Sequence, residues 1–199
     1  MARLRALPLA DFDPALRTTL GPAADADPQG LGLLRVFAQR PELARAFLAF
    51  RSELTARSDL PPRLLELVRL RVAFHNQCRS CMALRTAGGA ADGVTEALVC
   101  SLERPAEAPD LTEAEKAALT YADLLATDHL AVDDAVFDRL RLHFGEPQIV
   151  ELGVALAVFI GFGRLSATWD LVDDLPERFH DRDAPVTPWG DGTVVADHR

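Results

Sequence analysis

Aromatic residues are scarce in this chain, 7% of the total, while alanine and leucine dominate. Both favour helix and lose little side-chain freedom in one. Basic residues are outnumbered, 21 Lys and Arg against 30 Asp and Glu, for a formal net charge of −9. That balance excludes nucleic acid as an expected partner, because phosphate binding needs clustered cations. It also gives no reason to expect an anionic membrane surface. The start, MARLRALPLADF, lacks the apolar core of a signal peptide. The longest apolar run, Leu152 to Phe162, is too short to span a bilayer. Cysteine is sparse: Cys78, Cys81 and Cys100. An odd count with one close pair does not describe a secreted disulfide framework. A cytoplasmic protein is therefore expected. There is no convincing period-two strand pattern and no short-period repeat.

What is present is enough apolar material, 49% of 199 residues, for one domain with a real core and terminal extensions. Residues 1–40 read as an irregular N-terminal arm with a short helix near Asp11 and helical spacing from Leu31 to Phe37. Residues 41–174 read as the helical domain. Pro41 fits the first turn of one helix, and Pro62 that of another carrying Leu64, Leu67 and Val68 on one side. His75-Asn76-Gln77 is the expected turn into a second leg, from about Cys78 to Gly88-Gly89. Thr112 and Glu115 form a capping box, and Asp133 is placed to cap a further helix. The last helix starts at Pro147 and is apolar nearly all round, with Gly153, Ala157 and Gly161 as a smooth stripe. Residues 175–199 are expected as an extended acidic tail. The fold class is all-α.

The chemistry gathers at Cys78-Arg79-Ser80-Cys81. Two thiols one turn apart at a helix start can close a disulfide, and orphan amides and dipole there favour the thiolate. A zinc site is one alternative, but Cys100, His75, His129 and His143 do not supply two more ligands at metal spacing. Two buried packing cysteines are another. Cys100 reads as a small buried hydrophobe, and Arg63, Arg69, Arg71 and Arg79 as a solvated or interface edge. Trp169 and Phe162 read as core or subunit contacts. Ser80 can donate a hydrogen bond beside the thiols. If the chain turns at residues 75–77, Glu66 and Arg85 lie at equal distances along opposite legs, and Arg85 is four residues beyond Cys81. That geometry predicts a Glu66–Arg85 pair beside Cys81.

The stretch ELVRLRVAFHNQCRSCMALR, Glu66 to Arg85, resembles the signature of the carboxymuconolactone decarboxylase / alkylhydroperoxidase D-like family: a Glu, twelve residues to the first Cys, a Cys-x-x-Cys, and a His four residues after the second Cys. The closing helix resembles that family's too. The resemblance implies an all-α, alkylhydroperoxidase D-like helical bundle. It implies a peroxidase in which Cys81 attacks a hydroperoxide, Cys78 resolves and Glu66 ends a proton relay. The family's His position is Arg85 here, and arginine does not shuttle protons; His75, three residues before Cys78, is the nearest substitute in that relay. The leading expectation is a thiol-dependent peroxidase cycling through a Cys78–Cys81 disulfide, with a small-molecule substrate, an unidentified electron donor and no metal or other cofactor. The alternatives are a decarboxylase-like enzyme on a small lactone and a non-enzymatic redox-sensing oligomer. A homo-oligomer (dimer, trimer or hexamer) is expected, because the closing helix needs more cover than one chain of this size readily gives.

Overall fold

In the computed structural model, residues 2–22, 31–173, 175–181, 185–189 and 195–197 are described. The expected all-α architecture is present. Helix α1 (Pro14–Leu20) and α2 (Gly32–Phe37) belong to the N-terminal segment. They are followed by α3 (Pro41–Ala56) and α4 (Pro62–His75). Next come α5 (Arg79–Ala83), α6 (Ala87–Ala91) and α7 (Glu96–Cys100). Then follow α8 (Glu113–Thr127), α9 (Asp134–Arg141) and α10 (Glu146–Trp169). Local chemistry sets the starts. Pro41 and Pro62 open their helices, where a missing N–H is no loss. Thr112 and Glu115 close the reciprocal capping box, and the Asp133 carboxylate accepts the Val136 N–H.

Helix α4 is the centre of the main core. Leu67, Val68, Leu70 and Val72 are fully buried there, against Ala118, Leu119 and Ala122 of α8 and Leu152 and Leu156 of α10. Helix α10 is longer than its uninterrupted apolar run. By length and composition alone it could cross a bilayer, yet here it is a core element packed on α4 and α8. Its small residues do not form one stripe. An added Cβ on Gly153 would meet the Tyr121 hydroxyl at 3.3 Å, whereas Ala157 and Gly161 are exposed.

Three expectations are corrected. The N-terminal segment packs down: Phe12, Leu16, Leu31 and Leu34 are buried in a second core with Phe47, and Phe162 and Trp169 of α10 pack against it. The second leg of the hairpin is not one helix to Gly88, because Leu84–Thr86 is extended. It forms strand β1, paired parallel with β2 (Val195–Asp197), so strand does occur in this region. The tail docks rather than extends. Phe179 is fully buried among Ala73, Met82 and Ala83, and Trp189 lies against Phe74.

Candidate functional site

The hairpin turn is a Schellman motif. Gln77 takes a left-handed φ of 49°, its N–H donates to Phe74 O, and the Cys78 N–H donates to Ala73 O. Glutamine occupies a position where glycine is usual, and its amide is used: it exchanges two hydrogen bonds with the backbone of Val186 in the tail. Asn76 fixes the turn to α10 by donating to Phe159 O. Gly163 makes room for it, since a Cβ there would sit 2.5 Å from the Asn76 amide nitrogen. The turn is thus held from two sides, and the chain enters α5 at Cys78.

Cys78 is the N-cap of α5 and is joined to Cys81 in a disulfide, with the two Cα atoms 5.2 Å apart. The Cys78 sulfur accepts the Cys81 N–H at 3.3 Å, and the Ser80 hydroxyl lies 3.5 Å from it. Cys78 is fully buried; Cys81 is half-buried. Among the described residues no three His, Cys, Asp or Glu side chains gather as metal ligands do. Cys100 is an exposed free thiol, not a buried hydrophobe.

Glu66 is beside the dithiol hairpin, 2% exposed, but its partner is Arg69 and not Arg85. The Arg69 guanidinium donates to both carboxylate oxygens, at 2.8 and 2.7 Å. The Thr86 N–H and hydroxyl donate to the same carboxylate. Burial alone would push the Glu66 carboxyl up. The Arg69 charge and hydrogen bonds, with those from Thr86, outweigh burial and hold it below its ordinary value. Gly89 makes the fit possible, because a Cβ there would lie 2.6 Å from Glu66 Cβ and Cγ. Arg69 also donates to Cys81 O and Leu84 O, each at 2.8 Å, which brings a guanidinium to the backbone of the outer cysteine.

Arg85 points the other way. In an extended segment, alternate side chains face opposite sides. Thr86 reaches Glu66, so Arg85 leaves it, and pairs with Glu96 at 2.7 and 2.9 Å. It also donates to Met82 O and to Pro188 O of the tail. His75 is likewise elsewhere: its ring lies 2.6 Å from Asp123, which Arg71 also grips. Burial would raise the Asp123 carboxyl, but hydrogen bonds from His75 and Arg71 and the Arg71 charge hold it down. Arg63 pairs with Glu115 and Arg79 donates to Asp181 O, so the arginine series is spent on internal links rather than a solvated edge. Sequence reasoning missed Arg69. The available signal was its three-residue spacing from Glu66 on one helix.

A cavity of about 290 Å³ meets the hairpin at Cys81. Ser80, Arg69 and Thr86 form its hairpin side, and Leu34, Phe47 and Phe162 are among the apolar residues opposite. Phe162 was expected as a core or subunit contact; it packs against the second core and also lines the cavity.

Residues 41–124, which contain the hairpin and its ion pair, match the sequence model of the carboxymuconolactone decarboxylase family. The chain is 39% identical over 111 residues to the uncharacterized protein Rv2313c of Mycobacterium tuberculosis, covering 55% of this chain and 38% of that protein. It is 28% identical over 122 residues to the uncharacterized protein YnjA of Escherichia coli, covering 61% of this chain and 65% of that one. The chain therefore spans less than two thirds of either relative. In three dimensions it is similar to an uncharacterized peroxidase-related protein from Ralstonia eutropha JMP134, described as an alkylhydroperoxidase AhpD core. That match has a TM-score of 0.69 at 22% identity, over 90% of this chain and 94% of the other. The fold of the chain is therefore alkylhydroperoxidase D-like.

Proposed function

We propose that the protein is a thiol peroxidase of alkylhydroperoxidase D type that works in a reducing, cytoplasmic compartment. The observation that carries this reading is the asymmetry of the dithiol: Cys78 is sealed, whereas Cys81 borders a cavity large enough for a small molecule. In the reduced protein, the Cys81 thiolate attacks one peroxide oxygen. An S–O bond forms, the O–O bond breaks, and the leaving alkoxide takes a proton from water. Cys78 then attacks the Cys81 sulfenic acid, the S–S bond forms and water leaves. The hydroperoxide gains two electrons and the dithiol loses two. An external dithiol reductant restores the pair by exchange. Arg69, held by Glu66, supplies the positive charge that favours the Cys81 thiolate. Glu66 is a positioning residue and not a proton acceptor, and Arg85 and His75 have no part in the step.

The test is stopped-flow oxidation of the reduced protein by cumene hydroperoxide. Wild type is expected to oxidise far faster than a free thiol, and Cys81→Ser to lose the reaction. Cys78→Ser is expected to give a single turnover that leaves a dimedone-reactive sulfenic acid at Cys81. Loss of the first step in Cys78→Ser, with Cys81→Ser still reactive, would reverse the roles.

The reading includes a homo-oligomer. Val150 is 65% and Val154 38% exposed, and exposed Ala157 and Gly161 continue the same face of α10. A second copy is the expected cover. Light scattering at low micromolar concentration is expected to exceed the 21.7 kDa of one chain, and Val154→Glu to reduce the mass.

A further inference from the structure

The C-terminal tail docks on the very segment that carries the dithiol. The Gln77 side chain, one residue before Cys78, exchanges two hydrogen bonds with the Val186 backbone, at 3.1 and 3.0 Å. The Arg79 guanidinium, one residue after Cys78, donates twice to Asp181 O. Arg85 reaches Pro188 O at 2.7 Å. Alongside these polar contacts, Phe179 is fully buried in a cluster with Ala73, Met82 and Ala83, and Cys81 and Val186 pack against that cluster. The tail therefore grips the hairpin on both sides of Cys78 and at the residues that follow Cys81.

This placement ties the tail to the state of the sulfurs. Helix α5 has five residues, too few to stand alone. It is held by the disulfide across its first turn, by Arg69 at the Cys81 carbonyl and by Phe179 against Met82 and Ala83. Reduction by an external dithiol breaks the S–S bond and forms two S–H bonds, while the reductant loses two electrons and two protons and closes its own disulfide. The two thiol sulfurs then move apart to non-bonded contact. Cys78 is fully buried, so its sulfur has no solvent to swing into. The separation falls on Cys81 and the turn that carries it, and the next two residues are the ones that hold Phe179.

We propose that tail residues 175–181 and 185–189 form a redox-coupled strap, docked on the hairpin while the Cys78–Cys81 disulfide is closed and loosened when it is reduced. Coupling between two equilibria is reciprocal. If reduction weakens docking, docking in turn favours the disulfide over the dithiol by the same factor, and the tail sets how readily a dithiol reductant reopens the pair. This asks only that the pair be reducible, so it stands apart from the identity of the oxidant and from the peroxidase reading.

The test uses the full chain, with helical content checked by circular dichroism. The Val186 N–H donates to the Gln77 side chain and so reports docking directly. Its amide exchange is expected to be about tenfold faster in the dithiothreitol-reduced chain than in the disulfide form, within the usual range of coupling between sites. Two variants loosen the strap from opposite ends. Phe179→Ala empties the apolar seat. Gln77→Gly removes both bonds to Val186 while suiting the left-handed backbone of the turn, where φ is 49°. Each is equilibrated in dithiothreitol buffers, and the disulfide fraction is read by alkylation and mass. Both are expected to be half-reduced at a reduced-to-oxidised dithiothreitol ratio about tenfold lower than wild type. Val186 exchange that is equal or slower after reduction would overturn the proposal. So would an unmoved disulfide equilibrium in a variant whose Val186 amide has lost its protection. Absence of peroxide turnover would sink the peroxidase reading and leave the strap untouched.

Discussion

Arg69 and Arg85 are two guanidiniums on one hairpin, and they do opposite work. Arg69 is on α4, faces the cavity and joins the buried Glu66 to the backbone of Cys81. Arg85 is on β1, is 7% exposed, and joins Glu96 to the tail at Pro188. The first organises the cavity side of the hairpin and the second fastens its back. A residue near a cysteine in sequence is thus assigned by the direction its backbone gives it, not by its distance along the chain.

The sharpest way to break this contrast is at Glu66. Glu66→Gln leaves Arg69 with an uncompensated buried charge and is expected to destabilise the fold by about 3–5 kcal/mol, read as a shift in urea midpoint. The loss depends on pH. The Glu66 carboxyl is held below its ordinary value of 4.5, so its contribution is present in full above that value and is lost as pH falls through the lowered one. The stability gap between wild type and Glu66→Gln should therefore shrink in acid. A gap that widened there would contradict the ion pair.

Arg85→Met should cost about 2 kcal/mol, through its hydrogen bonds to Glu96 and the tail. Amide exchange is expected to rise at Thr86 and Val186 while the rate of Cys81 with peroxide holds. A rate loss as large as that of an Arg69 substitution would erase the distinction between the two arginines. Alkylation of the reduced chain at limiting reagent, followed by peptide mapping, should label Cys81 over Cys78 by about tenfold. Dominant labelling of Cys78 would mean that the buried sulfur is the accessible one after reduction. His75→Ala should have the smallest effect, about 1 kcal/mol or less, because Asp123 keeps its two bonds from Arg71. Peroxide kinetics should not move with it.

Much of this arrangement was legible in the sequence. Pro41, Pro62, Thr112 and Asp133 mark their helix starts through local capping chemistry, and the turn at Asn76-Gln77 follows from periodicity on either side. The dithiol's place at the start of α5 was legible for the same reason. The Glu66–Arg85 pair was misread because a helix was assumed through residue 88. The break at Leu84 turns a helical spacing into strand alternation and sends Arg85 to the far side. Thr86 carried the warning, since it caps α6 by accepting the Gly89 N–H. The docked tail and the cavity wall were not legible. Both depend on contacts such as Gln77 with Val186 and Leu34 with the α10 face, between segments whose separation in the chain no local pattern encodes.

Arg69 has a further consequence for which side chains the hairpin tolerates. It serves four separate acceptors: two carboxylate oxygens of Glu66 and the carbonyls of Cys81 and Leu84. A lysine carries three N–H donors on a single nitrogen. It would leave at least one of those acceptors empty, and a single point could not span a carboxylate on one side and two carbonyls on the other. Keeping the positive charge is therefore not enough at this position. Arg69→Lys would retain the electrostatics and lose the planar fork, so the register of Cys81 against Glu66 would be the property that fails.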